Sequence, residues 1–206
     1  MTRFALELEG LDHTFFPGTP SEQRALQRVD LSVEPGQVVV VVGFNGSGKS
    51  TLLNAVAGAV AVDHGTVRVA GRDVTRWPEH RRAGLIGRVF QNPFSGTASR
   101  LRVAENLAIA TLRGHRRGVL RGLSSARRAE LMERVRALGL GLEDRLDTPV
   151  GALSGGQRQA LTLLMATLVR PELLLLDEHT AALDPVSAEQ VVRLTDFIPK
   201  HARAVP

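Results

Sequence analysis

The 206-residue sequence predicts an α/β fold: a parallel sheet with helices on both faces, an antiparallel β region at the N-terminus and an inserted helical subdomain. Three observations predict it. Five consecutive valines, Val38 to Val42, run into a glycine-rich stretch from Gly43 to Gly48. Continuous β-branched residues between turn signals read as a strand buried on both faces, the habit of parallel sheets covered by helices. Four leucines, Leu173 to Leu176, repeat that pattern ahead of Asp177 and Glu178. Between these runs, residues 100–146 are rich in Arg, Leu, Ala and Glu, with Leu131, Val135 and Leu138 spaced to share a helix face.

The elements follow in order. Phe4 to Glu9 alternates apolar and polar residues and predicts a half-buried strand. A loop, Phe16-Pro17-Gly18-Thr19-Pro20, separates it from a second alternating stretch, Val29 to Val33, which the turn Glu34-Pro35-Gly36 closes. The valine strand comes next, then a helix over Ser50 to Ala57 and a short hairpin over Gly65 to Gly71. After the helical segment, Ser154 caps a nearly all-apolar helix that ends by Pro171, and Leu173 to Leu176 forms a second buried strand. Val186 to Ile198 predicts a last helix, with Val191, Leu194 and Ile198 on one face. The organisation expected is a single domain over residues 1–206 in which residues 96–153 form a nested helical subdomain.

Composition narrows the classes. Hydrophobic residues at 43% and charged residues at 23% are those of a globular domain rather than a disordered chain. The absence of cysteine excludes disulfide scaffolds, zinc ribbons and thiol nucleophiles, and agrees with a cytoplasmic address. No signal peptide is expected at the N-terminus, and the longest apolar runs fall far below the ~20 residues that cross a bilayer. A net charge of +5 favours polyanions, among them nucleotides, nucleic acid and acidic lipid. The arginines between Arg113 and Arg128 fit either a solvated helix face or attraction to an anionic membrane surface.

Two motifs carry the chemistry. Gly43-Phe44-Asn45-Gly46-Ser47-Gly48-Lys49-Ser50 fits the phosphate-loop pattern of P-loop NTPases, with a strand before it and a helix after it. Glycines let backbone N–H groups converge on phosphate oxygens, and the helix adds the positive end of its dipole. Lys49 then reaches the β- and γ-phosphates, and the Ser50 hydroxyl binds Mg²⁺. Asp177, at the tip of the leucine strand, is the second Mg²⁺ residue, and Glu178 is the general base for the attacking water. A third element, Leu153-Ser154-Gly155-Gly156-Gln157, opens a helix with another glycine-softened start suited to an anion. One nucleotide cannot occupy both helix starts unless a second copy brings its own across.

With that pentapeptide the chain resembles the ATP-binding cassette (ABC) family, whose motifs appear here in the family's order. The resemblance implies ATP and Mg²⁺ as ligands. Phe15 resembles the aromatic that stacks on adenine, and Thr51 completes the phosphate-binding set. Gln91, after Val89-Phe90, resembles the Q-loop glutamine that senses Mg²⁺ and water. Ala182-Leu183-Asp184 matches the D-loop. It further implies a head-to-tail dimer in which each ATP touches Lys49 and Ser50 of one copy and Ser154, Gly155, Gly156 and Gln157 of the other. The helical subdomain then docks on a separate transmembrane permease at the inner face of the cell membrane, served indirectly by an extracellular solute-binding protein. The run Asp177-Glu178-His179-Thr180-Ala181-Ala182-Leu183-Asp184-Pro185 is similar to that of amino-acid and small-solute importers; His179 stands where most of the family has proline.

The tail departs from the family. Only Pro199 to Pro206 follows the last expected helix, polar and bracketed by prolines, so His201 is no candidate for the family's switch histidine. The expectation is a truncated chain that lacks a central strand of the family, with marginal stability and weak ATP turnover. Two alternatives to a transport ATPase stand beside it: a soluble ABC ATPase acting on nucleic acid or ribosomes, and a truncated product with little activity.

Overall fold

The structure is a computed structural model describing residues 4–92, 94–114 and 124–177. These fall into two compact units divided between Ile86 and Gly87.

The first unit is built on an antiparallel sheet. Strand β1 (Leu6–Phe15) pairs with β2 (Gln23–Val33) on one side and β3 (His64–Val69) on the other, and the two-residue β4 (Arg72–Asp73) closes the order β2-β1-β3-β4. Register follows the apolar alternation: Leu6 lies opposite Val33 and Val69, and Leu8 opposite Leu31 and Val67. Leu6, Leu8, Leu11, Val33, Val67 and Val69 are buried, so one face of the sheet is apolar while on the other face Arg68 pairs with both Glu7 and Glu9. The antiparallel region expected at the N-terminus is present, with both strands longer than the alternation alone indicates. The extra length runs through a bulge between Leu8 and Leu11, where Gly10 has φ 55°. Gly65 packs against this bulge: a side-chain carbon there would sit 2.4 Å from the Gly10 carbonyl oxygen.

Helix α1 (Lys49–Ala57) follows the glycine loop as expected, one residue earlier, with Ala55, Val56 and Ala57 buried. The valine run does not behave as predicted. Residues 37–43 belong to no strand, and Val38, Val40 and Val42 are 79%, 77% and 84% exposed. A strand buried on both faces requires ladder partners and covering helices. None of the described strands pairs with this segment, so among the described residues the valines lack the ladder partners that burial on both faces needs.

The unit also contains the short helix α2 (Glu79–Arg82). The second unit takes up β5 (Ile86–Val89) at the division and pairs it with β6 (Leu173–Leu176) in a two-stranded sheet. Here too the expectation of full burial is corrected: Leu175 is buried but its neighbours are half-buried, because β6 has one described ladder neighbour. The helical segment divides into α3 (Val103–Ala110) and α4 (Ser125–Arg136), followed by 3₁₀ turns at Glu143–Arg145 and Val150–Ala152 and then α5 (Gly155–Thr167).

Leu131 and Val135 share the buried face predicted for α4 and pack with Val103, Leu107, Leu146, Val150 and Leu161, and Leu138 covers the edge of this cluster. A second cluster sets Leu163 and Ala166 of α5 against Val89, with Leu174 and Leu176 around them. Helix α5 thus buries one face in the helical bundle and another on the strands, which explains the mostly apolar run from Ala160 to Ala166.

Candidate functional site

The first unit supplies the phosphate loop. Gly48 has φ 88°, a left-handed conformation that glycine adopts without strain, and a side-chain carbon there would meet the Ala25 carbonyl oxygen of β2 at 2.4 Å. The glycine is therefore required twice, for the turn and for the close approach to β2. As N-cap of α1 it offers no side chain to the helix start, and no acidic residue occupies the first turn. The positive end of α1 therefore has no carboxylate of its own first turn to neutralise it. Gly43 lies equally close to the loop, since a side-chain carbon there would sit 2.6 Å from Ser47 Oγ.

Lys49 folds back over this loop. Its Nζ donates to the carbonyl oxygens of Gly43 at 2.8 Å and Phe44 at 2.9 Å, which holds the ammonium at the mouth of the turn. Asn45, Gly46, Ser47 and Ser50 are exposed around it, and Thr51 is half-buried on α1. A loop of backbone N–H groups, an unneutralised helix start and a poised ammonium fit a polyphosphate. Phe15 ends β1, half-buried, and stands edge-on to His13 with ring centroids 4.5 Å apart. His13 is a residue that sequence reasoning missed. No pattern marks it, because it lies on an ordinary strand.

Arg82 is another. It is buried and donates to the Ala55 carbonyl at 2.7 Å and the Val56 carbonyl at 2.9 Å in the last turn of α1, and to those of Thr75 and Trp77. It braces the C-terminal end of the helix that begins at Lys49. Burial pushes its pKa below the ordinary arginine value, and the charge of Asp73 only partly opposes this.

The second unit supplies the other residues. Gln91 is exposed two residues past β5, and Asp177 follows β6 directly, its N–H donating to the Val89 carbonyl at 3.2 Å. The β5–β6 pairing therefore brings the Gln91 segment and Asp177 to the same end of the strands. Ser154 is the N-cap of α5: its Oγ accepts from the Gln157 N–H, and Gln157 Oε1 accepts from the Ser154 N–H, both at 3.2 Å. This capping box leaves Gly155 exposed at the helix start, with open space around its α-carbon, and buries Gly156. The segment ahead of it is fixed by backbone bonds from Val150 N–H to Leu101 and from Gly151 N–H to Ser99.

Phosphate-loop residues and Phe15 thus gather in one unit, and Gln91, Asp177 and the Ser154 helix start in the other. Glu178, His179, Asp184, His201 and the helix expected over Val186 to Ile198 lie outside the described residues. Ser50 and Asp177 are suitable oxygen donors for Mg²⁺, which takes one or two protein ligands and leaves the rest to phosphate and water.

Of the arginines between Arg113 and Arg128, Arg116, Arg117 and Arg121 lie outside the described residues, and the other three have partners. Arg113 donates to the Ala166 carbonyl at 2.5 Å and to that of Val169, Arg127 to Thr111 Oγ1, and Arg128 to Asp147. They brace the helical segment, so these side chains are not a free basic face. Among the described residues, no helix is long and apolar enough to cross a membrane.

Comparison with known proteins agrees with this arrangement. Residues 26–181 match the ABC transporter family model. The chain is 37% identical over 194 residues to a tyrosine transport ATP-binding protein of Clostridioides difficile, covering 94% of this chain and 76% of that one. It is 38% identical over 196 residues to the lipoprotein-releasing system ATP-binding protein LolD of Ruegeria pomeroyi, covering 93% and 81%. The dimeric post-hydrolysis structure of the ATP-binding cassette MJ0796, bound to ADP and Pi, superposes with a TM-score of 0.79 at 26% identity, covering 95% of this chain and 83% of that one. With its P-loop NTPase fold, its phosphate loop and its capped Ser154 helix, the chain belongs to the ABC transporter family, among the ATP-binding and ATP-hydrolysing subunits.

Proposed function

We propose that the chain powers solute import through a separate transmembrane permease, by closing and opening with a second copy of itself around two ATP molecules. The observation that carries this reading is the presence of two glycine-bearing helix starts, at Gly48-Lys49 and at Ser154-Gly155. Each suits a polyanion, and one nucleotide fills both only when it lies between two copies. That the cassette MJ0796 is dimeric supports the same arrangement.

In this reading Lys49 exchanges its two carbonyl partners for β- and γ-phosphate oxygens, and Phe15 stacks on the adenine. Ser50, Asp177 and Gln91 would hold Mg²⁺, which when bound would supply charge neutralisation for phosphoryl transfer. Glu178 accepts the proton of the attacking water, and Ser154, Gly155, Gly156 and Gln157 of the other copy close over the γ-phosphate with Asp184 at the interface. The likeness to a tyrosine transport subunit supports a small-solute importer, working at the inner face of the cell membrane with a solute-binding protein outside.

Sedimentation of the Glu178→Gln variant tests this. ATP is expected to convert it from monomer to dimer, and Lys49→Ala is expected to weaken ATP binding at least tenfold, the worth of a charge-assisted hydrogen bond. A variant that stays monomeric in saturating ATP would overturn the two-copy reading.

A further inference from the structure

Arg158, one residue past the Ser154–Gln157 capping box, is a cation buried without an anion. It is 4% exposed and is the one charged residue of helix α5. Its Nε and Nη2 donate to the Val150 carbonyl at 3.3 and 3.2 Å, and Nη2 also reaches the carbonyls of Gly151 at 3.1 Å and Leu153 at 3.0 Å. Those three carbonyls belong to the turn that delivers Ser154 to the helix start. The guanidinium carbon lies 3.7 Å from the centroid of the Phe94 ring.

Phe94 comes three residues after Gln91 and is 53% exposed. Its own turn places it: its N–H donates to Asn92 Oδ1 at 2.9 Å, and Thr97 N–H returns to the Phe94 carbonyl. A guanidinium removed from water and lacking a carboxylate depends on carbonyl dipoles and on the aromatic face over it. Loss of the ring would leave part of that charge uncompensated and loosen the carbonyl cage it organises. Burial already pushes the Arg158 pKa below the ordinary arginine value, in keeping with a site that has no anion.

We infer that Arg158 is a positioning residue that couples the Gln91 segment to the Ser154 helix start, with the Phe94 ring as the movable contact between them. Any displacement of the Gln91 segment that slides Phe94 off the guanidinium relaxes the 150–153 turn, and with it the placement of Ser154 and Gly155. In the importer reading, on which the functional half of this inference rests, one cassette's response at Gln91 is thereby passed to the surface it offers the other copy.

Amide hydrogen exchange on the full chain without nucleotide tests the coupling directly. Phe94→Ala and Phe94→Leu are each expected to speed exchange of the Gly151, Ala152 and Leu153 amides about tenfold, the worth of one partly desolvated cation–π contact, and Phe94→Trp to restore it. Phe94→Leu separates the cation–π contact from plain apolar cover. Arg158→Gln is expected to give the same increase, with no further increase when Phe94→Ala is added. In turnover, Phe94→Leu is expected to lower kcat about tenfold while leaving KM for ATP within about twofold, again recovered by tryptophan. Unchanged exchange at 151–153 in Phe94→Leu would overturn the coupling. Wild-type chain that neither binds nor hydrolyses ATP would overturn the importer reading alone, because the exchange result needs no nucleotide.

Discussion

At the scale of single residues, the chemistry-bearing side chains depend on partners that carry none. Lys49 leads α1 from one end, and Arg82 grips the last turn of the same helix through two carbonyls at the other. Replacing Arg82 with methionine keeps bulk and removes every donor, leaving buried carbonyl oxygens unsatisfied. The expected outcome is a loss of about 3 kcal/mol of stability in denaturant unfolding, with ATP affinity lowered alongside it. A variant as stable as wild type would show those carbonyls to be solvated. The sequence made Lys49 legible because spacing of glycines around a lysine is a chemical pattern in itself. Arg82 left no such mark: an arginine whose partners are all backbone carbonyls has no complementary residue elsewhere in the chain to betray it. Arg158 gave a weak signal, a lone cation in an apolar helix, and Phe94 none.

At the scale of elements, the 146–151 segment is the hinge on which the Ser154 helix start is set. Asp147 ties it outward, accepting from Arg128 at 2.5 Å and lying 3.5 Å from Arg102 at the start of α3. Hydrogen bonds from Arg128, then the charges of Arg128 and Arg102, hold the Asp147 carboxyl below the ordinary carboxylate range. A carboxyl whose pKa falls on folding stabilises the fold above its unfolded value, about 3.9, and that contribution is lost as pH falls through the lower folded value. Asp147→Asn is therefore expected to lower Tm at pH 7, with the difference from wild type shrinking as the melt is repeated below pH 4. A difference independent of pH would assign the effect to packing. Helix α4 was legible because its apolar spacing reports one burying face, and α1 and α5 because a glycine loop precedes the one and a capping serine the other. The valine run misled for the same physical reason that makes such runs informative: continuous β-branched sequence records a preference for being enclosed, and enclosure depends on strands the run does not contain.

At the scale of the whole molecule, that run is the least protected part of the described surface. All five valines are exposed and no described strand pairs with them, and a β-branched run in that setting invites association between molecules. Val40→Lys is expected to lower light scattering of concentrated protein while leaving Tm unchanged, since the valine side chain stands in water. A fall of several degrees would place it in a packed setting. In the proposed two-copy arrangement the capping box at Ser154 takes on a second meaning. Its oxygen accepts from within its own helix, so the hydroxyl hydrogen stays available to something outside. One atom pair then serves as both fastener and sensor, and alanine at this position would remove the two together. Aspartate would keep the fastener and turn the sensor against any approaching anion, so that comparing the two replacements separates the helix's own integrity from what it greets across the gap.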